Sequence, residues 1–168
     1  LVMVVSLQGL AMKNSKMALP IFIGYAAFMG FLISFTLLMY TATDITLAFV
    51  TAAAMFFGLS VYGRFTKRNL SAMGKAFGVA VWGLIIAMLL NLFFASSGLT
   101  ILISLVGVVI FAGLIAWDNQ KITQVYNANN GQVSDGWAIS MALSLYLDFI
   151  NMFLFLLRLF GIAGGNRD

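Results

Sequence analysis

The charged residues of this chain fall at wide intervals, and those intervals are the first structural information it carries. No charge lies between Lys16 and Asp44, between Asp44 and Arg64, or between Lys75 and Asp118. As one helix, the stretch from Lys75 to Asp118 would be roughly 63 Å long at 1.5 Å per residue, about twice a bilayer's hydrocarbon core. It therefore folds back, and Ser96-Ser97-Gly98 is the turn-like cluster near its middle. The pattern predicts spans over 19–41, 46–63, 76–95, 99–117 and 137–160, each near the ~20 residues a bilayer requires. Residues 1–10 are apolar but only about half a span long. They begin without Met and with no basic region in front, which reads as the end of a helix and not as a signal peptide. The expectation is an N-terminally truncated chain forming one membrane domain over residues 1–168.

Composition agrees with the pattern. Hydrophobic residues make up 62% of the 168 positions, charged residues 8%, and the mean hydropathy is +1.05. A soluble domain is about half apolar and about a quarter charged, and no soluble core of this size hides so much apolar surface. The predicted fold class is all-α, a polytopic transmembrane helix bundle. With no Cys and no His, the chain has no disulfide, thiol nucleophile, imidazole chemistry, or Cys- or His-based zinc or haem site. No cofactor is expected. The net charge of +4 gives no reason to expect nucleic acid, because the basic residues sit in short gaps between apolar runs.

Those gaps alternate in character. Lys13 and Lys16 occupy one, Arg64, Lys67, Arg68 and Lys75 another, and Lys121 follows Asp118, whereas the gaps around Asp44 and Ser96–Gly98 hold no Lys or Arg. The basic gaps are therefore expected to face the cytoplasm, the Arg64–Lys75 gap also touching anionic lipid, with Arg167 and Asp168 on the far side.

Charged side chains deep in a bilayer cost at least ~2.5–3.5 kcal/mol each, so Asp148, alone in charge between Asp135 and Arg158, demands a reason. At 100° per residue, Ser140, Ser144, Asp148, Asn151 and Arg158 fall within about 80° of one another, a polar stripe expected to face the bundle interior or a water-filled cavity. The bland alternative is that Asp148 merely holds helices together. A direct pair with Arg158 is excluded, since ten residues span roughly 15 Å.

Asp118 closes the preceding predicted span beside Trp117, which reads as an interfacial anchor. Alone it is an ordinary boundary residue, and its interest lies in partnership with Asp148. Two carboxylates held close do not both ionise easily, so a shared proton would make a pH-responsive latch, and its loss a site suited to Ca²⁺. Asn91 is expected to bond another helix, and Asp44 to be a solvated loop charge. Met and Phe show no narrow face, and no P-loop, Gly-x-Ser-x-Gly or zinc-protease motif is present.

Three segments carry a family resemblance. Residues Leu145-Tyr146-Leu147-Asp148-Phe149-Ile150-Asn151-Met152-Phe153-Leu154, with Leu157-Arg158-Leu159-Phe160-Gly161, resemble the C-terminal signature of the Bax inhibitor-1 family. Trp117-Asp118-Asn119-Gln120-Lys121 is similar to its Asp-Thr-Gln element, with Asn119 in place of Thr. Residues 62–71, from Tyr62-Gly63-Arg64 to Asn69-Leu70-Ser71, resemble a loop of its bacterial inner-membrane branch. The resemblance implies a seven-helix plan from which this chain lacks the first helix and most of the second. It also implies a Ca²⁺-permeable leak in which Asp118 and Asp148 form a pH-sensing pair, in the cell inner membrane.

The primary expectation is thus a passive, pH-sensitive Ca²⁺ leak, not an enzyme, with lipid and Ca²⁺ as partners. The alternative is a non-transporting regulator that binds another membrane protein, such as a membrane protease. Geometry adds a constraint. If the last span enters the bilayer at Trp137, Asp148 lies about 16 Å deep while Asp118 lies at the boundary. For the two to meet, the helix before Asp148 must project from the membrane, and the last helix is expected to span it incompletely.

Overall fold

The computed structural model describes residues 2–13 and 16–165. Six helices follow in order: α1 (Val2–Met12), α2 (Ala18–Leu37), α3 (Ala42–Phe65), α4 (Ser71–Phe94), α5 (Ser97–Ala128) and α6 (Asp135–Gly164). The five from α2 onward are long and apolar enough to cross a membrane. In hydrocarbon every backbone polar group must find its partner inside the chain, and a helix does this without help from its neighbours. Arg167 and Asp168, expected on the far side, lie outside the described residues.

The joints are set by local chemistry. Thr41, Ser96 and Ser134 cap α3, α5 and α6, each side-chain oxygen accepting from the backbone N–H three residues on. The α4–α5 turn is tighter than the Ser96–Gly98 cluster suggests. Ala95 takes a left-handed conformation (φ 47°), and Ser97 and Gly98 already belong to α5. Asn91 ties this turn together: its Nδ2 donates to Thr100 at 2.7 Å, and its Oδ1 accepts from the Ser96 N–H at 3.1 Å. The expected bond to another helix therefore goes to the neighbour across the turn.

Two apolar clusters share α6. The larger joins α3, α4, α5 and α6 around Ala48, Ala52, Leu84, Ile115, Met152 and Leu157. The smaller joins α1, α2 and α6 around Leu7, Tyr25 and Leu143. Small residues allow the closest approaches, as is usual where the solvent is as apolar as the side chains. A Cβ on Gly63 of α3 would lie 2.1 Å from the Ala116 carbonyl oxygen of α5, and one on Gly74 of α4 would lie 2.0 Å from the Trp117 ring. Trp117 is thus wedged against α4 at Gly74.

The helices outrun the predicted spans where it matters. α5 continues well past 117 to Ala128, about 48 Å in all, and α6 starts at Asp135 and runs about 45 Å, both longer than a ~30 Å hydrocarbon core. Residues 119–128 and 135–147 are helical despite their polar content, and the hairpin they form brings Asp148 back to the level of Asp118. The segment before Asp148 is therefore helical from Asp135 onward. Beyond Asp148, α6 continues for about 24 Å to Gly164, where Gly161 packs on Tyr40 and Gly164 on the Asp44 carboxylate. Asp44 is buried in the first turn of α3, not solvated, because the last turn of α6 covers it.

Gly63→Ala is expected to destabilise the fold by about 3 kcal/mol, because the new methyl meets backbone that cannot rotate away. Gly24→Ala, at a position with open space around it, is expected to be neutral or slightly stabilising. Thermal unfolding midpoints of the two variants in one detergent check this.

Candidate functional site

The site is built on one turn of α5. Successive helical residues point about 100° apart, so Asp118, Asn119 and Gln120 address three different neighbours. Asp118 faces α6. Asn119 faces α3, its Nδ2 donating to the Ser60 hydroxyl at 3.1 Å and to the Ile115 carbonyl at 2.8 Å. Gln120 faces the α3–α4 loop: its Nε2 donates to the Arg68 carbonyl at 2.6 Å, and its Oε1 accepts from the Leu70 N–H at 2.9 Å. Gln120 is 5% exposed, and its bond to the Leu70 N–H is buried while that to the Arg68 carbonyl is partly so.

Asp148 comes to this turn from α6. The two carboxyls face each other within hydrogen-bonding reach. Both are buried, at 5% exposure for Asp118 and 7% for Asp148. Asp148 Oδ2 is sealed from solvent, and no donor among the described residues is aimed at it. Two carboxylates offer only acceptors to one another, so a direct hydrogen bond between them requires a proton. Beside them, Lys121 Nζ lies 3.4 Å from Asp118 Oδ1 and 4.2 Å from the centre of the Trp117 ring.

The predicted stripe on α6 is partly assembled around the pair. Ser140 is buried and donates to Gln8 Oε1 of α1 at 2.6 Å. Ser144 is half-buried. Asn151 is also half-buried and turns its amide back to the Leu147 carbonyl at 2.8 Å. Arg158 departs from the interior: it is exposed at the other end of the bundle, over the Phe155 ring and near Met88 Sδ at 3.9 Å. There it lines a cavity with Asn91 and Thr100. No cluster of three or more His, Cys, Asp or Glu side chains suited to a metal exists among the described residues. A cation at the pair would thus have two carboxylates, with further oxygens supplied by water or backbone.

Sequence reasoning missed Gln8, Ser60, Gln120 and the second role of Lys121. The available signal was three consecutive polar residues, Asp118-Asn119-Gln120, on a helix that does not stop there.

Five long apolar helices around a buried carboxyl pair define a multi-pass integral membrane protein. The family model described as inhibitor of apoptosis-promoting Bax1 matches residues 1–165, and the chain belongs to the Bax inhibitor-1 family. It is 98% identical over 168 residues to the protein YrjE of Lactococcus lactis, covering 100% of this chain and 72% of that one. It is 52% identical over 161 residues to a membrane protein of Streptococcus pyogenes serotype M3, covering 96% and 70%. With a Rickettsia prowazekii protein the identity is 44% over 162 residues, covering 96% and 67%.

Gln120→Leu is expected to cost about 1–3 kcal/mol, because it strands the buried Leu70 N–H and removes the partner of the Arg68 carbonyl. The released 66–70 loop should become the first site of limited proteolysis in detergent, and an unchanged digestion pattern would contradict the clamp.

Proposed function

We propose that this protein is a passive, pH-sensitive Ca²⁺ leak of a bacterial inner membrane, with its basic end in the cytoplasm. The observation that carries the reading is the facing of Asp118 and Asp148 inside an apolar bundle, with Asp148 Oδ2 left without a donor. A buried carboxylate is kept in a membrane at a cost, and two together are kept at a larger one. In this reading the protonated pair is a clasp that ties α5 to α6. When both carboxyls ionise they repel, by roughly 4 kcal/mol at about 4 Å and an effective dielectric near 20. That is enough to shift a two-state equilibrium about a thousandfold. The ionised pair also offers Ca²⁺ two hard oxygen donors, so rising pH loosens the clasp and improves the cation site together. The reading assigns passage of an ion and no bond-making step. Membership of the family supports it, and so do the basic residues gathered in the α3–α4 loop and its neighbours.

The test is Ca²⁺ flux in proteoliposomes across roughly pH 5–8, the range open to a coupled buried carboxyl. Wild-type flux should rise with pH. Asp148→Asn keeps a hydrogen-bonding partner and removes the titration, so its flux should lose the pH dependence. Asp118→Asn should do the same, and the double variant should add little, since both act through one unit. An unaltered pH profile in Asp148→Asn would sink the latch. Absence of flux at every pH would favour the regulator that binds another membrane protein.

A further inference from the structure

The Asp118–Asp148 pair has a cation of its own. Lys121 lies one turn beyond Asp118 on α5, and its ammonium is placed from two sides, 3.4 Å from Asp118 Oδ1 and 4.2 Å from the centre of the Trp117 ring. Trp117 is itself immobilised, its ring filling the space that Gly74 leaves on α4. The ammonium is therefore held against a fixed wall at the rim of the pair. Its side chain is 37% exposed while that of Asp118 is 8% exposed, so Lys121 stands between the buried carboxyls and solvent on the basic side. Asp148 Oδ2, by contrast, is enclosed and meets no donor among the described residues. One carboxylate of the pair is thus already neutralised by the chain, and the other presents an open acceptor.

We infer that Lys121 is a tethered competitor for the cation position at the Asp118–Asp148 pair, setting how strongly that pair holds a divalent ion. A metal bridging the two carboxylates must take Asp118 Oδ1 from the ammonium or sit close beside it. Both arrangements bring like charges within a few ångströms of each other. Lys suits such a role better than Arg, because its ammonium is a compact point charge on a flexible stem that can swing to solvent. The aromatic face that steadies it adds only a modest attraction at a partly exposed site, so the ammonium is displaceable. This inference rests on the cation-binding part of the proposed function and not on passage through the bundle.

Terbium tests it directly, since Tb³⁺ is a hard cation with the oxygen preference of Ca²⁺ and Trp117 adjoins the site as a luminescence sensitiser. The purified chain in detergent, in mildly alkaline buffer, is titrated with Tb³⁺ as wild type, Lys121→Met, Lys121→Gln, Lys121→Arg and Asp148→Asn. Removing the ammonium should tighten terbium binding by about threefold to tenfold, a charge effect already reduced for the exposure of Lys121. Lys121→Arg, which keeps the charge and holds the carboxylate at least as firmly, should bind terbium no more tightly than wild type, and Asp148→Asn should lose the signal. Equal or weaker binding in both Lys121→Met and Lys121→Gln overturns the inference, as does a signal that survives Asp148→Asn. If wild-type vesicles pass no Ca²⁺ while these shifts in terbium binding appear, the leak reading falls and the competitor stands.

Discussion

The structure depends on how closely α3 and α4 approach a single stretch of α5. At Gly63 the backbone of α3 rests on the Ala116 carbonyl, and at Gly74 the backbone of α4 rests on the Trp117 ring. Between these contacts, Asn119 reaches Ser60, and Gln120 holds the loop by Arg68 and Leu70. Residues 116–120 are therefore gripped by a rigid turn on one side, leaving Asp118 to face α6 on the other. In lipid no hydrophobic gain rewards apolar contact between helices, so van der Waals fit and satisfied polar groups carry the assembly. Here both are concentrated within about two turns.

The same segment shows how much was legible in the sequence. Charge-free intervals gave the spanning helices and their alternation, because hydropathy over ~20 residues is a strong constraint with few alternatives. Asp148 announced itself by its isolation, and Asp118 by the family motif. What stayed hidden depended on contacts between helices. Asp44 looked like a loop charge because nothing local says that the end of α6 will lie over it. Gln120 was visible only as part of the family element, since a glutamine bonded to a loop 50 residues away reads like any other. The length of α5 was underestimated for the same reason: polarity was taken as the end of a helix, when it marks only where apolar surroundings end. Arg158 shared a helical face with Asp148, but at that level its side chain points outward over Phe155.

α6 has an unusual position in this arrangement. It packs against α1, α2, α3 and α5, and both apolar clusters include it. A helix touched on so many sides can carry a carboxyl that a peripheral helix could not, since no rotation is needed to keep that group away from lipid. The Ser140–Gln8 bond extends the polar surroundings of the pair toward α1.

The level of the pair along the bundle also has an electrical meaning. Asp118 lies beside the end of α3 that carries the basic loop, while α6 runs on from Asp148 through about 24 Å of helix to meet Tyr40 and Asp44. A membrane potential falls mainly across the hydrocarbon, at about 2.3 kcal/mol per elementary charge per 100 mV. In the proposed leak, with the basic loop at the membrane surface, an ion arriving at the carboxyls from the basic side would cross little of that drop, and one arriving from the opposite side most of it. On that reading, occupancy from the near side would be insensitive to voltage and access from the far side driven by it, so the off-centre placement would give the proposed leak an electrical polarity.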